Sequence, residues 1–147
     1  MGVLASQADE VRRVARSVAG ERETFRYAPG KWSVREILGH IGDGERVFGY
    51  RAFCISRGDQ APLPGFDEND YIAAADYDRQ AVSVLAEDFA TLRASNLAVL
   101  GRLPDAAWAN VGTANGNRIS LRAIAYIMAG HARHHMGVLR SRYDVGG

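Results

Sequence analysis

The sequence predicts an all-α protein, a four-helix bundle in a single domain over residues 1–147. Three observations predict it. Four stretches repeat apolar residues at spacings of three and four, the period of a helix that buries one stripe. Two of them open on a serine cap, Ser33 and Ser120. Alternating β-branched runs between tight turns, the signature of strands, are scarce. A chain of 147 residues holds one core with little room for a second, and no repeat or linker divides it.

The first helix is expected from Val3 to Ala19, with Leu4, Val11, Val14 and Val18 on one stripe and Gly20 as its stop. A connector follows, with Pro29-Gly30 as its turn. Ser33-Val34-Arg35-Glu36 fits the capping box and starts the second helix, which runs to about Arg57-Gly58. Its seam is Val34, Ile37, Ile41, Phe48, Ala52 and Ile55, interrupted at Glu45. Pro62, Pro64 and Gly65 make the segment from Gly58 to Asp70 a loop, long for a bundle. The third helix is expected from Arg79 to Leu103, along Val82, Leu85, Phe89, Leu92, Asn96, Val99 and Leu103, with Pro104 closing it. A loop with Trp108 and the turn-rich T-A-N-G-N leads to Ser120. The fourth helix, Leu121 to Tyr143, has the seam Leu121, Ile124, Met128, His131, His135, Val138 and Arg142. Helices of this length cannot bury a stripe alone and pack together. The long connectors leave the up-down order of the bundle open.

Composition excludes several function classes. Eighteen basic residues face 17 acidic ones, a net charge of +1, so no broad field steers the chain onto nucleic acid. No run approaches the roughly 20 apolar residues of a membrane helix, and the early Asp9, Glu10, Arg12 and Arg13 leave no signal-peptide core. The single Cys54 forms no internal disulfide and points to a reducing, cytoplasmic setting.

The four histidines are His40, His131, His134 and His135. His131 and His135 stand four apart, so both project from one helix face, the spacing by which a helix offers two imidazoles to one metal ion. Both occupy seam positions where Ile or Leu is expected, and buried imidazoles need hydrogen-bond partners or a metal. His40 flanks the apolar arc of the second helix, and Gly44, one turn on, leaves space beside it. Three imidazoles converging from two helices make an open tri-histidine site. A lone histidine at an apolar boundary is ordinarily a hydrogen-bonded structural residue, and it is the pair that raises His40 above that reading. His134 lies about 60° off the seam and is the alternative to His135. Asp43 is one turn from His40 and serves as a metal-site acceptor, a base or a solvated surface group. Asn96 reads as a buried register residue, Trp32 and Trp108 as packing at bundle ends, and Arg142 as a snorkelling side chain. No phosphate loop, H-E-x-x-H, nucleophile elbow or paired Glu-x-x-His is present, which favours one metal over two.

The stretches K-W-S-V-R-E-I-L-G-H-I-G-D-G-E-R and A-Y-I-M-A-G-H-A-R-H-H resemble the DinB-like superfamily of four-helix bundles. The segment P-L-P-G-F-D-E-N-D-Y resembles one branch of it, and the similarity spans nearly the whole chain. Members generally carry more chain ahead of the first helix. The resemblance implies a long crossover between the second and third helices and a divalent metal on His40, His131 and His135. It implies activity too: relatives are metal-dependent transferases of low-molecular-weight thiols such as bacillithiol or mycothiol, others are called hydrolases, and the family name is tied to DNA-damage stress. Homodimers are common among them.

The expected function is therefore a metal-dependent enzyme joining a low-molecular-weight thiol to a small electrophile. Zinc is the first-choice ion, with nickel or iron as alternatives. Asp43 and Tyr50 are candidates for proton handling, and Arg46 and Arg51 for a substrate anion. The alternatives are a metal-dependent hydrolase, a non-catalytic metal-binding stress protein, and a bundle whose core histidines are only structural.

Overall fold

The computed structural model describes residues 2–146. Four long helices form the bundle: α1 (Gly2–Ser17), α2 (Val34–Ser56), α4 (Val82–Leu100) and α5 (Leu121–Tyr143). The short α3 (Glu68–Ala75) lies in the crossover between α2 and α4, and a hairpin of β1 (Val111–Ala114) and β2 (Asn117–Ser120) precedes α5. Single 3-10 turns occupy Gly20–Thr24, Tyr77–Arg79 and Asp105–Ala109.

The caps act as the sequence predicts. The Glu36 amide donates to Ser33 Oγ at 3.0 Å, and the Ser33 amide donates to the Glu36 carboxylate at 2.7 Å. Ser120 Oγ accepts from the Ala123 amide at 3.2 Å, and α5 runs from Leu121 to Tyr143.

Three expectations change. The third long helix is shorter than Arg79–Leu103 at both ends, Val82–Leu100. The loop from Gly58 to Asp70 stops at Asp67, whose carboxylate caps α3 by accepting from the Asn69 and Asp70 amides. The turn-rich T-A-N-G-N is a β-hairpin. Asn115 and Gly116 take left-handed φ values of 51° and 73°, the primed turn that Asn-Gly favours. The crossover is tied to this hairpin, because the Leu63 amide donates to Thr113 O and Leu63 O accepts from the Asn115 amide, both at 2.9 Å.

Around the bundle, α1 and α2 each pack on both α4 and α5. The consecutive α1 and α2 therefore sit across a diagonal. Two apolar clusters fill the interior, one around Ile41, Phe89 and Met136, the other around Ala52, Leu100 and Met128. At the level between them lie Glu45 and Arg93, 2% and 1% exposed. Arg93 donates from Nε and Nη2 to both Glu45 oxygens at 2.9 Å, and from Nη1 to Leu4 O and Gln7 Oε1. Among the described residues no helix is long and apolar enough to cross a membrane.

Candidate metal centre

The site lies where α2 packs on α5. His40 enters from the α2 side, and His131 and His135 enter from successive turns of α5. Their Nε2 atoms converge: His40 Nε2 is 2.9 Å from His131 Nε2 and 3.1 Å from His135 Nε2. All three rings offer a ligand atom within 4.8 Å of the others. Gly44 makes this possible. A Cβ there would lie 2.4 Å from His131 Cε1, so the imidazole occupies the room a side chain would fill. The sequence reading placed that space beside His40, and it is His131 that fills it.

Two aromatic rings steady the histidines. Trp32 lies 4.7 Å from the His40 ring, centroid to centroid, and Phe48 lies 5.4 Å from His131, edge on. Trp32 is itself held, since the Tyr143 hydroxyl donates to its carbonyl at 2.6 Å. Burial pushes the Tyr143 phenol up to about 12, so it stays a donor.

Burial also sets the charge of the triad. It pushes the His40 and His131 imidazoles down to about 4 and His135 down to about 3, with the neighbouring imidazoles adding to the fall at His131 and His135. At neutral pH all three are uncharged, the form that donates a lone pair. An imidazole nitrogen carries either one hydrogen or one lone pair. Facing two others, His40 Nε2 can make only one linear hydrogen bond. A cation accepts all three lone pairs at once. At tetrahedral Zn–N bonds of about 2.1 Å, ligand nitrogens lie roughly 3.4 Å apart, close to the spacing seen here. The donor set thus fits a divalent ion.

The other candidates do not join the triad. His134 is exposed, its ring 5.0 Å from that of His135. Asp43 and Arg46 line a separate cleft with Tyr77 and Asp88. Arg46 pairs there with Asp43 at 3.8 Å and Asp88 at 3.6 Å. Burial pushes the Asp43 carboxyl up, opposed by Tyr77 and Arg46. Tyr50 is exposed and lies beside the crossover with Phe66 and Tyr71. Arg51 is buried and donates to Pro64 O at 2.7 Å, fastening the crossover. On α5 the deepest residues after Met128 are Ala132, Met136, Leu139 and Tyr143, so His131, His135 and Val138 sit at the shoulder of the stripe and Arg142 is exposed.

The family model of the DinB superfamily matches residues 4–139. The chain belongs to the DinB superfamily. Two solved structures show the same fold. YfiT from Bacillus subtilis, described as a probable metal-dependent hydrolase with an unusual four-helix bundle topology, superposes with a TM-score of 0.81 at 18% identity, over 92% of this chain and 79% of its own. A DinB-like protein, YjoA, from Bacillus subtilis superposes with a TM-score of 0.67 at 19% identity, over 98% of this chain and 90% of its own. No curated protein is significantly similar in sequence.

Sequence reasoning misses two residues that border this site and one that ties the bundle together beside it. The sequence suggests packing at a bundle end for Trp32, whereas its ring lies on His40. Phe48 belongs to the predicted seam of the second helix, and its ring also borders His131. Arg93 is hidden by its charge, although Phe89, Arg93, Asn96 and Leu100 keep the three-and-four spacing and Glu45 opposite is the interruption that signals a buried partner.

Proposed function

We propose that this chain is a metal-dependent enzyme in which His40, His131 and His135 hold one divalent ion, zinc in the first instance. The observation that carries this reading is the convergence of three uncharged Nε2 atoms from two helices on one point. A bound ion supplies Lewis acidity, which lowers the pKa of a thiol or a water beside it. Three protein ligands leave a position open, as in catalytic rather than structural zinc sites.

The chain's own groups bind and orient. Gly44 and Phe48 fix the His131 ring, and Trp32 packs against His40. Asp43 and Arg46 are engaged in another cleft and do not supply the base. We assign thiol transfer to the site: the sulfur of a low-molecular-weight thiol bonds to a small electrophile, the leaving group departs, and the thiol proton passes to solvent. Family resemblance supports this choice. Hydrolysis is the second reading, favoured by the description of YfiT.

Incubation of the zinc-loaded protein with thiols and an electrophile panel, and with an ester and amide panel, separates the two. The expected result is thiol conjugate formed catalytically, abolished by chelation and restored by zinc. Chelator-sensitive release of acid from esters without conjugate formation moves the assignment to hydrolysis. Turnover that survives chelation contradicts both.

A further inference from the structure

A cleft of about 260 Å³ opens beside the triad, lined by Tyr27, Lys31, Trp32, Asn69, His135 and Tyr143 among others. Its walls are aromatic. Tyr27 meets Tyr143 edge on at 5.1 Å, and Trp32 lies across both His40 and His135 at 4.7 and 6.3 Å. A cavity of about 150 Å³ accommodates benzene, so this one holds a single ring and a few further atoms. Its lining contains one charged side chain, Lys31, and no carboxylate. Lys31 is the only lysine of the sequence, and among the described residues no carboxylate pairs with it.

The backbone fixes the residue that carries this ammonium at the rim of the cleft. Ala28-Pro29-Gly30-Lys31 is a β-turn closed by the Lys31 amide donating to Ala28 O at 3.2 Å, and Gly30 takes φ +72°, the third-position conformation of a type II turn after proline. The Tyr143 hydrogen bond to Trp32 O fixes the chain one residue further. Asn69 on α3 adds an amide to the same cleft.

We propose that this cleft is the substrate subsite and that it takes a small ring-bearing carboxylate, the ring against Tyr27 and Trp32 and the anion on Lys31 and the Asn69 amide. His135 belongs to both the cleft and the triad, so a molecule seated there presents its far end to the centre. As a substrate subsite this rests on the enzymatic reading above, but the anion site does not need the metal.

The test therefore uses metal-free full-length protein, titrated with phenylacetate and with its uncharged analogue phenylacetamide while the indole NMR signals of Trp32 and Trp108 are followed. Phenylacetate is expected to shift the Trp32 signal saturably and leave Trp108 unmoved. It is expected to bind about two- to fivefold more tightly than the amide, the preference one exposed ion pair supplies. Lys31→Met, with its fold checked by circular dichroism, brings the acid down to the level of the amide, and Lys31→Arg retains the preference. No saturable shift, equal affinities in the wild type, or an undiminished preference in Lys31→Met overturns the proposal. Zinc binding measured in parallel keeps the two readings apart. Zinc bound without the carboxylate preference removes the subsite alone, and the preference without zinc removes the metal reading alone.

Discussion

Gly44 leaves the room that the His131 ring fills. Any Cβ at that position meets the imidazole at 2.4 Å, far inside van der Waals contact. In Gly44→Ala the ring moves, because the backbones of two packed helices resist displacement more than one side chain does. The helix itself gains about 0.8–1 kcal/mol of propensity from the alanine. Zinc affinity is therefore expected to fall about 10- to 100-fold, the scale on which misplaced ligands act, while the melting temperature of the metal-free chain holds or rises. Calorimetry for both quantities checks this, and unchanged affinity contradicts the role given to Gly44. His131 and His135 are legible in the sequence from their spacing on one helix, and His40 only through that pair. The exclusion of Asp43 is not. From His40 on an ideal wheel, Gly44 lies about 40° to one side and Asp43 about 60° to the other. Which side faces α5 is a matter of tertiary packing. Here it is the Gly44 side, so Asp43 turns toward Tyr77 and Asp88.

Helices α1, α2 and α4 are joined at mid-bundle by charge as well as by apolar contact. Arg93 reaches Glu45 on α2 with two hydrogen bonds, Leu4 O and Gln7 on α1 with two more, and Met128 O on α5 at 3.4 Å. Asn96 adds a bond to Glu45 Oε1 at 2.7 Å. Removing one partner leaves a buried charge uncompensated. Arg93→Met is expected to cost about 3–5 kcal/mol in urea unfolding, and Glu45→Leu with Arg93→Met to recover most of that loss, as replaced buried pairs do. A single-variant loss below about 1 kcal/mol, the range of surface pairs, contradicts the account. Element boundaries were legible where a cap marks them, as at Ser33 and Ser120. The eight-residue α3 was not, because it buries only Ile72 and shows no period. The hairpin carried its Asn-Gly signal, but strands of four residues gave the alternation too little length to register.

The whole molecule is a bundle whose neighbours in space are not its neighbours in sequence. Periodicity says how many stripes need burying and leaves open which helix faces which, so the diagonal placement of α1 and α2 was not readable from the chain. Its consequence is functional. The crossover lets α2 lie against both α4 and α5, so that it carries Glu45 to Arg93 on α4 and His40 to the α5 histidines. The net charge of +1 describes the molecule's exterior, while the candidate site draws on three of four histidines and a glycine. The most direct test of the central claim is a calorimetric zinc titration of the chelator-stripped chain and of His40→Ala, His131→Ala and His135→Ala. One ion per chain is expected, with each substitution weakening binding by at least about 100-fold, more than the loss of an outer hydrogen-bond partner does. Unchanged stoichiometry and affinity in His131→Ala would contradict it.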